Sequence, residues 1–323
     1  MTTQATASQK LVVSPSPHIH CGEKVSHLYY TILIALLPAV ISAVYYFGFH
    51  AIRVMAVAIS SAMASEWIIQ KLFKKSATIT DGNAILIGLL FALIIPPSVP
   101  WWLVIIGCFI SILIGKELFG GTGSNPFAPV LIGWAVLRIS WADLMNFDLA
   151  MINYDLGVSM EYPLSVLKRL GASGVSNIQT SDLLMGKQAG GMGASAILWI
   201  IIGGVFLMIR GVIPWRLSLS FLIGVIIFST LFHLTDSTKY AGPIFHLLTG
   251  NVMIGAFFLA TDYSSSPANK IAMIVYGISC GFLIVIFRIW SVYPDGVVFA
   301  ILIMNIFNPL VDKITPKIPG KKE

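Results

Sequence analysis

The sequence predicts an all-α polytopic membrane protein of about ten transmembrane helices, arranged as two inverted five-helix repeats. Three observations carry that prediction. Apolar residues make up 57% of the 323-residue chain and charged residues 11%, whereas about a quarter of a soluble domain is charged. About ten apolar runs follow one another, several approaching the ~20 residues that cross a bilayer. A short motif in the first half of the chain returns in the second. The mean hydropathy of +0.87 agrees with the composition.

In chain order, residues 1–26 form a polar segment whose Ser14-Pro15-Ser16-Pro17 resists helix. The tail is too long for a typical secretory signal, so no cleaved peptide is expected. His18, His20 and Cys21 lack further ligands nearby, and a docking segment is expected there rather than a metal site. Cys108 and Cys280 fall inside apolar runs as core residues, and without a CxxC no iron–sulfur cluster is expected. The net charge of +6 comes with no basic patch interleaved with aromatics. It therefore argues topology, not nucleic-acid binding.

The runs span about 27–49, 51–72, 83–97, 100–119, 126–140, 194–210, 213–233, 244–261, 271–290 and 295–312. Those at 83–97 and 126–140 are short and suit helices that begin inside the bilayer. The chain divides into a first repeat (27–140), a loop (141–193), a second repeat (194–312) and a basic tail (313–323). With the N-terminus inside, about 13 of the 20 Lys and Arg fall on the cytoplasmic side and about 7 on the other. That bias places both termini in the cytoplasm and the loop outside, as in a bacterial inner membrane. The loop is long for a connection, which points to a job. Its end, Gly186-Lys187-Gln188-Ala189-Gly190-Gly191-Met192-Gly193, reads as a flexible approach to the next span.

The stretch Gly120–Leu131 cannot be regular helix, because three glycines fall within four residues and Pro126 and Pro129 follow. Irregular backbone at membrane depth survives only inside protein or beside a polar cavity. Gly121, Gly123 and Asn125 are therefore candidates for a ligand site. Two echoes support a repeat. Gly82-Asn83 returns as Gly250-Asn251, and the Asn-x-Phe-x-Pro of 125–129 returns at 305–309. Five spans per half force opposite orientations, and the centre of an inverted repeat normally carries the site. Glu66 and Asp262 lie at membrane depth and are the ion-pathway candidates. Asp81 and Asp295 read as helix-start carboxylates, stabilised by free amides.

Several segments resemble one family. PDGVVFAILIMNIFNPLVD (294–312), FLATDYSSSPANK (258–270), KELFGGTGSNPFAP (116–129), DGNAILIGLLFALIIPPSVPWW (81–102) and SPSPH (14–18) look like the D subunit of the Rnf complex. They also look like its homologue, the B subunit of the sodium-pumping NADH:quinone oxidoreductase. The resemblance covers nearly the whole chain. It implies a ten-helix, flavin-carrying subunit of a machine that couples electron transfer between ferredoxin and NAD to Na+ or H+ translocation. Its partners would be the other Rnf subunits, of A, B, C, E and G type.

The resemblance also implies FMN, linked through its phosphate to a loop threonine in a motif close to Asp-Gly-x-Ser/Thr-x-Ala-Thr-Pro-Leu. Here Gly157, Ser159, Pro163 and Leu164 match, but Glu161 replaces the Ala and Tyr162 the threonine. A phenol is longer, stiffer and chemically different, which argues against a covalent link. A second register keeps a hydroxyl at Ser176 and loses the Pro-Leu. Noncovalent riboflavin or FMN then falls to the Gly121, Gly123 and Asn125 site, where Ala128 replaces an Asn frequent in relatives. No catalytic residue and no nicotinamide fingerprint belong to the chain itself. The competing expectations are a urea-transporter-like solute channel on a similar scaffold and a structural Rnf subunit that has lost its flavin.

Overall fold

The structure is a computed structural model that describes residues 24–75, 78–149 and 162–314. The His18, His20 and Cys21 cluster and Ser159 lie outside the described residues, as do the last residues of the basic tail. Each apolar run carries helix. The first half holds α1 (Val25–Phe47), α2 (Phe49–Leu72), α3 (Asn83–Ile94), α4 (Trp101–Leu113) and α5 (Pro129–Ser140). The connecting loop contains α6 (Pro163–Leu170), α7 (Ala172–Val175) and α8 (Thr180–Met185). The second half holds α9 (Ile197–Ile209), α10 (Trp215–Thr235), α11 (Pro243–Leu248), α12 (Val252–Ile254), α13 (Lys270–Trp290) and α14 (Val297–Val311). A π-helical turn, Gly255–Leu259, continues α12.

Among the described residues, six helical segments are long and apolar enough to cross a membrane: those at α1, α2, α4, α10, α13 and α14. Segments Asn83–Ile94, Pro129–Ser140 and Ala194–Ile209 are apolar but shorter. Prolines set several starts. Pro129, Pro163 and Pro243 open α5, α6 and α11, where the missing amide has no helical partner to lose. Asn269 caps α13 by accepting from the Ile271 amide at 3.3 Å. Large apolar side chains point outward, among them Ile41, Leu72, Ile209 and Leu234, as lipid rather than water requires.

The two halves repeat one packing order. α2 packs on α3 and α4, and α4 on α5; α10 packs on α11 and α13, and α13 on α14. The broken helices α3 and α12 run in opposite directions. Asn83, at the start of α3, shares a cavity with Asp262 and Tyr263, just past the end of the π turn. At the other end, a Cβ added to Gly191 would meet the Leu93 and Ile94 carbonyls of α3 and the side chain of Asn251 before α12. We call the side where α1 begins the N-terminal face and the side carrying α6–α8 the loop face.

The Gly-Asn echo is a structural one. Gly82 and Gly250 precede the two broken helices with φ of 81° and 67°, left-handed values that favour glycine. The Asn-x-Phe-x-Pro echo is not. Residues 125–129 lead into α5, whereas 305–309 lie inside α14. The helix-start reading of two carboxylates is corrected as well. Asp81 sits in a 3-10 turn, and Gly82 holds the position before α3, which has no side-chain cap. Asp295 does not cap α14; it accepts from the Asn251 amide at 2.8 Å, at the start of another helix. Nor is 186–193 a loose approach. Gln188 is 1% exposed and Met192 is 0% exposed. Three acceptors take the Gln188 amide, and the Gly193 amide donates to Leu93 O at 2.6 Å. The segment is wedged between the halves, where its backbone supplies polar partners that lipid cannot.

The α10–α13 seam closes on glycine. A Cβ at Gly281 would stand 2.4 Å from the Val225 amide nitrogen, a backbone atom that cannot step aside. Gly281→Val should therefore lower the thermal midpoint of the detergent-purified protein, through overpacking worth about 1–3 kcal/mol. Gly242→Ser, where an added Cβ meets open space, should leave the midpoint unchanged. Equal midpoints for both variants would contradict the seam.

Candidate functional site

On the N-terminal face, α3, the π turn after α12 and the irregular stretch before α5 enclose a cavity of about 50 Å³. Its polar lining includes Tyr29, Asn83, Lys116, Asn125, Asp262 and Ser264. Two residues that the sequence singles out separately meet here. Asn125 Nδ2 donates to Asp262 Oδ2 at 3.2 Å and to Phe127 O at 2.9 Å. Ser264 Oγ donates to Asn125 Oδ1 at 2.6 Å, and Ser265 Oγ to Asp262 Oδ2 at 3.1 Å. Asn125 thus clamps the stretch before α5 to the chain leaving α12, across the two halves. Asn125 is 6% exposed.

Glu66 does not line the cavity but reaches its wall through one residue. Lys116 Nζ donates to Glu66 Oε1 at 2.8 Å, with side chains 2% and 1% exposed. The same oxygen accepts from Gln70 Nε2 at 2.9 Å and Thr78 Oγ1 at 2.8 Å. Gln70 Nε2 also donates to Glu117 Oε1 at 3.1 Å, and Lys75 pairs with Glu117 Oε2 at 3.1 Å. Two carboxylates and two ammonium groups balance, so burial leaves no net charge. Glu66 Oε2 is buried without a hydrogen-bond partner, which leaves one acceptor free for a proton, water or cation. Buried pairs of this kind hold only while both partners stay.

The loop face carries a second buried pair. Arg288 Nη2 and Asp295 Oδ1 are 3.4 Å apart, with side chains 1% and 2% exposed. The pair straddles the break between α11 and α12. Arg288 donates to His246 O at 2.6 Å and Thr249 O at 2.7 Å, the carbonyls that α11 leaves free. Asp295 takes the Asn251 amide, where the next helical segment begins.

The other sequence candidates divide. Gly123 lines the cavity with φ 91°; Gly121 has φ 107° but lies off the lining. Ser176 is exposed, donates to Ser173 O at 2.8 Å and does not line this cavity. Tyr162 is 2% exposed on the loop face, its ring 5.2 Å from that of Phe147. The ring also stands 3.4 Å from where a Cβ on Gly190 would be. Four residues of the polar lining, Tyr29, Asn83, Lys116 and Ser264, are not among the sequence's site candidates. Lys116 carries a usable signal: a lysine closing an apolar run deserves the same weight at membrane depth as Glu66. Ser264 carries none.

Neither position fits a flavin as it stands. A cavity of about 50 Å³ holds a few waters or a small cation, since one water needs roughly 10–15 Å³ on this measure. A three-ring flavin enters only if the walls part. At 162 the phenol fills the space itself, and no aliphatic hydroxyl is offered.

Residues 12–320 match the family model described as "NQR2, RnfD, RnfE family". The chain is 38% identical over 307 residues to the D subunit of the Na(+)-translocating ferredoxin:NAD(+) oxidoreductase complex of Acetobacterium woodii, covering 94% of this chain and 93% of that one. It is 35% identical over 311 residues to the D subunit of the proton-translocating ferredoxin:NAD(+) oxidoreductase complex of Clostridium ljungdahlii, covering 94% of each. It is 33% identical over 347 aligned positions to the D subunit of the ion-translocating oxidoreductase complex of Cronobacter sakazakii, covering 96% of this chain and 99% of that one. By this match along nearly its whole length, the chain belongs to the NQR2, RnfD, RnfE family.

Proposed function

We propose that this chain is the D-type membrane subunit of an Rnf complex, coupling electron transfer between ferredoxin and NAD to Na+ or H+ translocation. One observation carries the ion-handling part. One carboxylate, Asp262, and one ammonium, Lys116 backed by buried Glu66, stand on the wall of one cavity where two antiparallel broken helices meet. A carboxylate in the bilayer is costly and marks an ion path, and broken helices of opposite direction are how transporters build such sites. The names of the relatives support the complex and its two possible ions. The chain would work with A, B, C, E and G type subunits in a bacterial inner membrane. The Lys and Arg bias supports cytoplasmic termini, hence an N-terminal face toward the cytoplasm.

The cavity favours a cation or proton over a urea-like solute. Beyond it, α3 presents Leu89–Ile94 as an unbroken buried apolar block. Covalent FMN is not part of the proposal, because Tyr162 fills the acceptor position. A noncovalent flavin at Asn125 requires the cleft to widen between Tyr29 and Phe258, both of which line it.

The test is the assembled complex in proteoliposomes, with ferredoxin-driven NAD reduction followed alongside Na+ uptake and pH-gradient formation. Asp262→Asn should cut ion uptake at least tenfold, on the order of 1.4 kcal/mol or more, while the complex stays assembled. Unchanged uptake would sink the proposal. Glu66→Gln should destabilise the protein by about 3–5 kcal/mol, because it leaves Lys116 buried and unpaired. The double variant Glu66→Gln, Lys116→Met should recover the melting point without recovering uptake. Recovery of both would reduce the pair to a brace. The intact chain should weigh what its sequence dictates, with no added FMN mass; a flavin adduct on any loop residue would overturn the reading of Tyr162.

A further inference from the structure

The loop face holds a second cavity, of about 250 Å³, away from the Asn125 site. Its walls come from three stretches distant in sequence: α6, the turn before α11 and the end of α13. They bring together Lys168, Lys239, Arg288, His246, Tyr240 and Trp290. No Asp or Glu lines it. Among the described residues neither lysine forms an ion pair. Two carboxylates act from outside the lining, Asp295 on Arg288 and the Asp236 charge on Lys239. Asp236 Oδ1 caps its own turn, accepting from Thr238 and from the Lys239 amide. Asp295 is held by Arg288 and the Asn251 amide.

The cations are placed, not loose. The Lys168 ammonium donates to the carbonyls of Ser291 and Tyr293, which fixes α6 against the turn after α13. Lys239 Nζ lies 5.4 Å from the centre of the Tyr240 ring. Arg288 is 5% exposed, and its Nε is buried without a hydrogen-bond partner. Burial also pulls the Lys168 ammonium below the usual lysine range, the mark of a partly dehydrated cation lacking a counter-charge. The positive-inside bias adds weight. Lys and Arg are the minority on this face, yet three of them line one cavity.

An anion with several oxygen acceptors suits these N–H donors, and Arg and Lys are the usual partners of phosphate. Trp290 is 65% exposed at the rim, the position aromatic residues take at headgroup level. We propose that this cavity binds a phosphate group on the loop face, supplied either by an anionic phospholipid headgroup or by a soluble phosphate.

The full chain in uncharged detergent is melted in inorganic phosphate and in chloride at equal ionic strength. Phosphate should raise the wild-type midpoint by several degrees, and the Lys168→Gln, Lys239→Gln double variant should not respond. Lys239→Gln alone, which leaves the carbonyl contacts of Lys168 intact, should weaken the apparent affinity at least fivefold. Native mass spectrometry from phosphatidylglycerol or phosphatidylcholine nanodiscs separates the sources. Phosphatidylglycerol kept by the wild type and lost by the double variant identifies a headgroup; a phosphate response without retained lipid identifies a soluble ligand. No phosphate response with no retained lipid, or equal behaviour of wild type and double variant, overturns the site.

Discussion

Hydrocarbon offers no hydrogen bonds, so a helix that stops at membrane depth must have its loose ends satisfied by the protein. The rest of this structure depends on how two such stops are sealed. At the break between α11 and α12, one ion pair does the sealing: the Arg288 guanidinium takes the carbonyls left by one segment, and the Asp295 carboxylate takes an amide at the start of the next. At the end of α3, the Gly193 amide takes Leu93 O and the Trp134 indole takes Ile94 O at 3.2 Å. The donors and acceptors come from elements well separated along the chain or from the connecting segment. Each break is therefore closed by other elements of its own half, and at the end of α3 also by the connecting segment, because no broken helix can close its own ends.

That arrangement explains where polar chemistry survives. The two buried ion pairs lie on opposite faces, Lys116–Glu66 at the N-terminal face and Arg288–Asp295 at the loop face. They are not equivalent in use. Arg288 and Asp295 direct hydrogen bonds to the backbone ends of the break and brace it, while Arg288 Nε stays without a hydrogen-bond partner. Glu66 keeps one buried oxygen unused and leans on a lysine that faces a cavity. A carboxylate oxygen with spare capacity can take up a proton or cation; a pair that holds the ends of a helix break cannot change without opening the break. This distinction separates residues with room to exchange a proton or cation from residues that brace the break.

Residue 162 is a closely packed aromatic position on the loop face. The aromatic ring packs on Phe147 near the Arg138 guanidinium, which itself lies 5.9 Å from the centre of the Phe147 ring. The position is as well filled as any in the core. Its neighbours Pro163 and Leu164 still start α6.

Much is legible in the sequence. The apolar runs locate the helices, because run length against bilayer thickness needs no tertiary information. Gly82-Asn83 and Gly250-Asn251 mark the broken helices, since a left-handed residue before a helix is a local demand. Glu66, Asn125 and Asp262 stand out because polar groups in oil are costly wherever they pack. Only the tertiary structure decided that Asn125 and Asp262 touch, that Lys116 joins Glu66 to their cavity, and that Asp295 serves α12 and not its own helix. It also decided that 305–309 is plain helix despite its likeness to 125–129, and that 186–193 is buried. Those facts concern partners far apart in the chain. Pairing in a membrane is settled by which unsatisfied group meets which, and that is a property of the packed halves, not of any one segment.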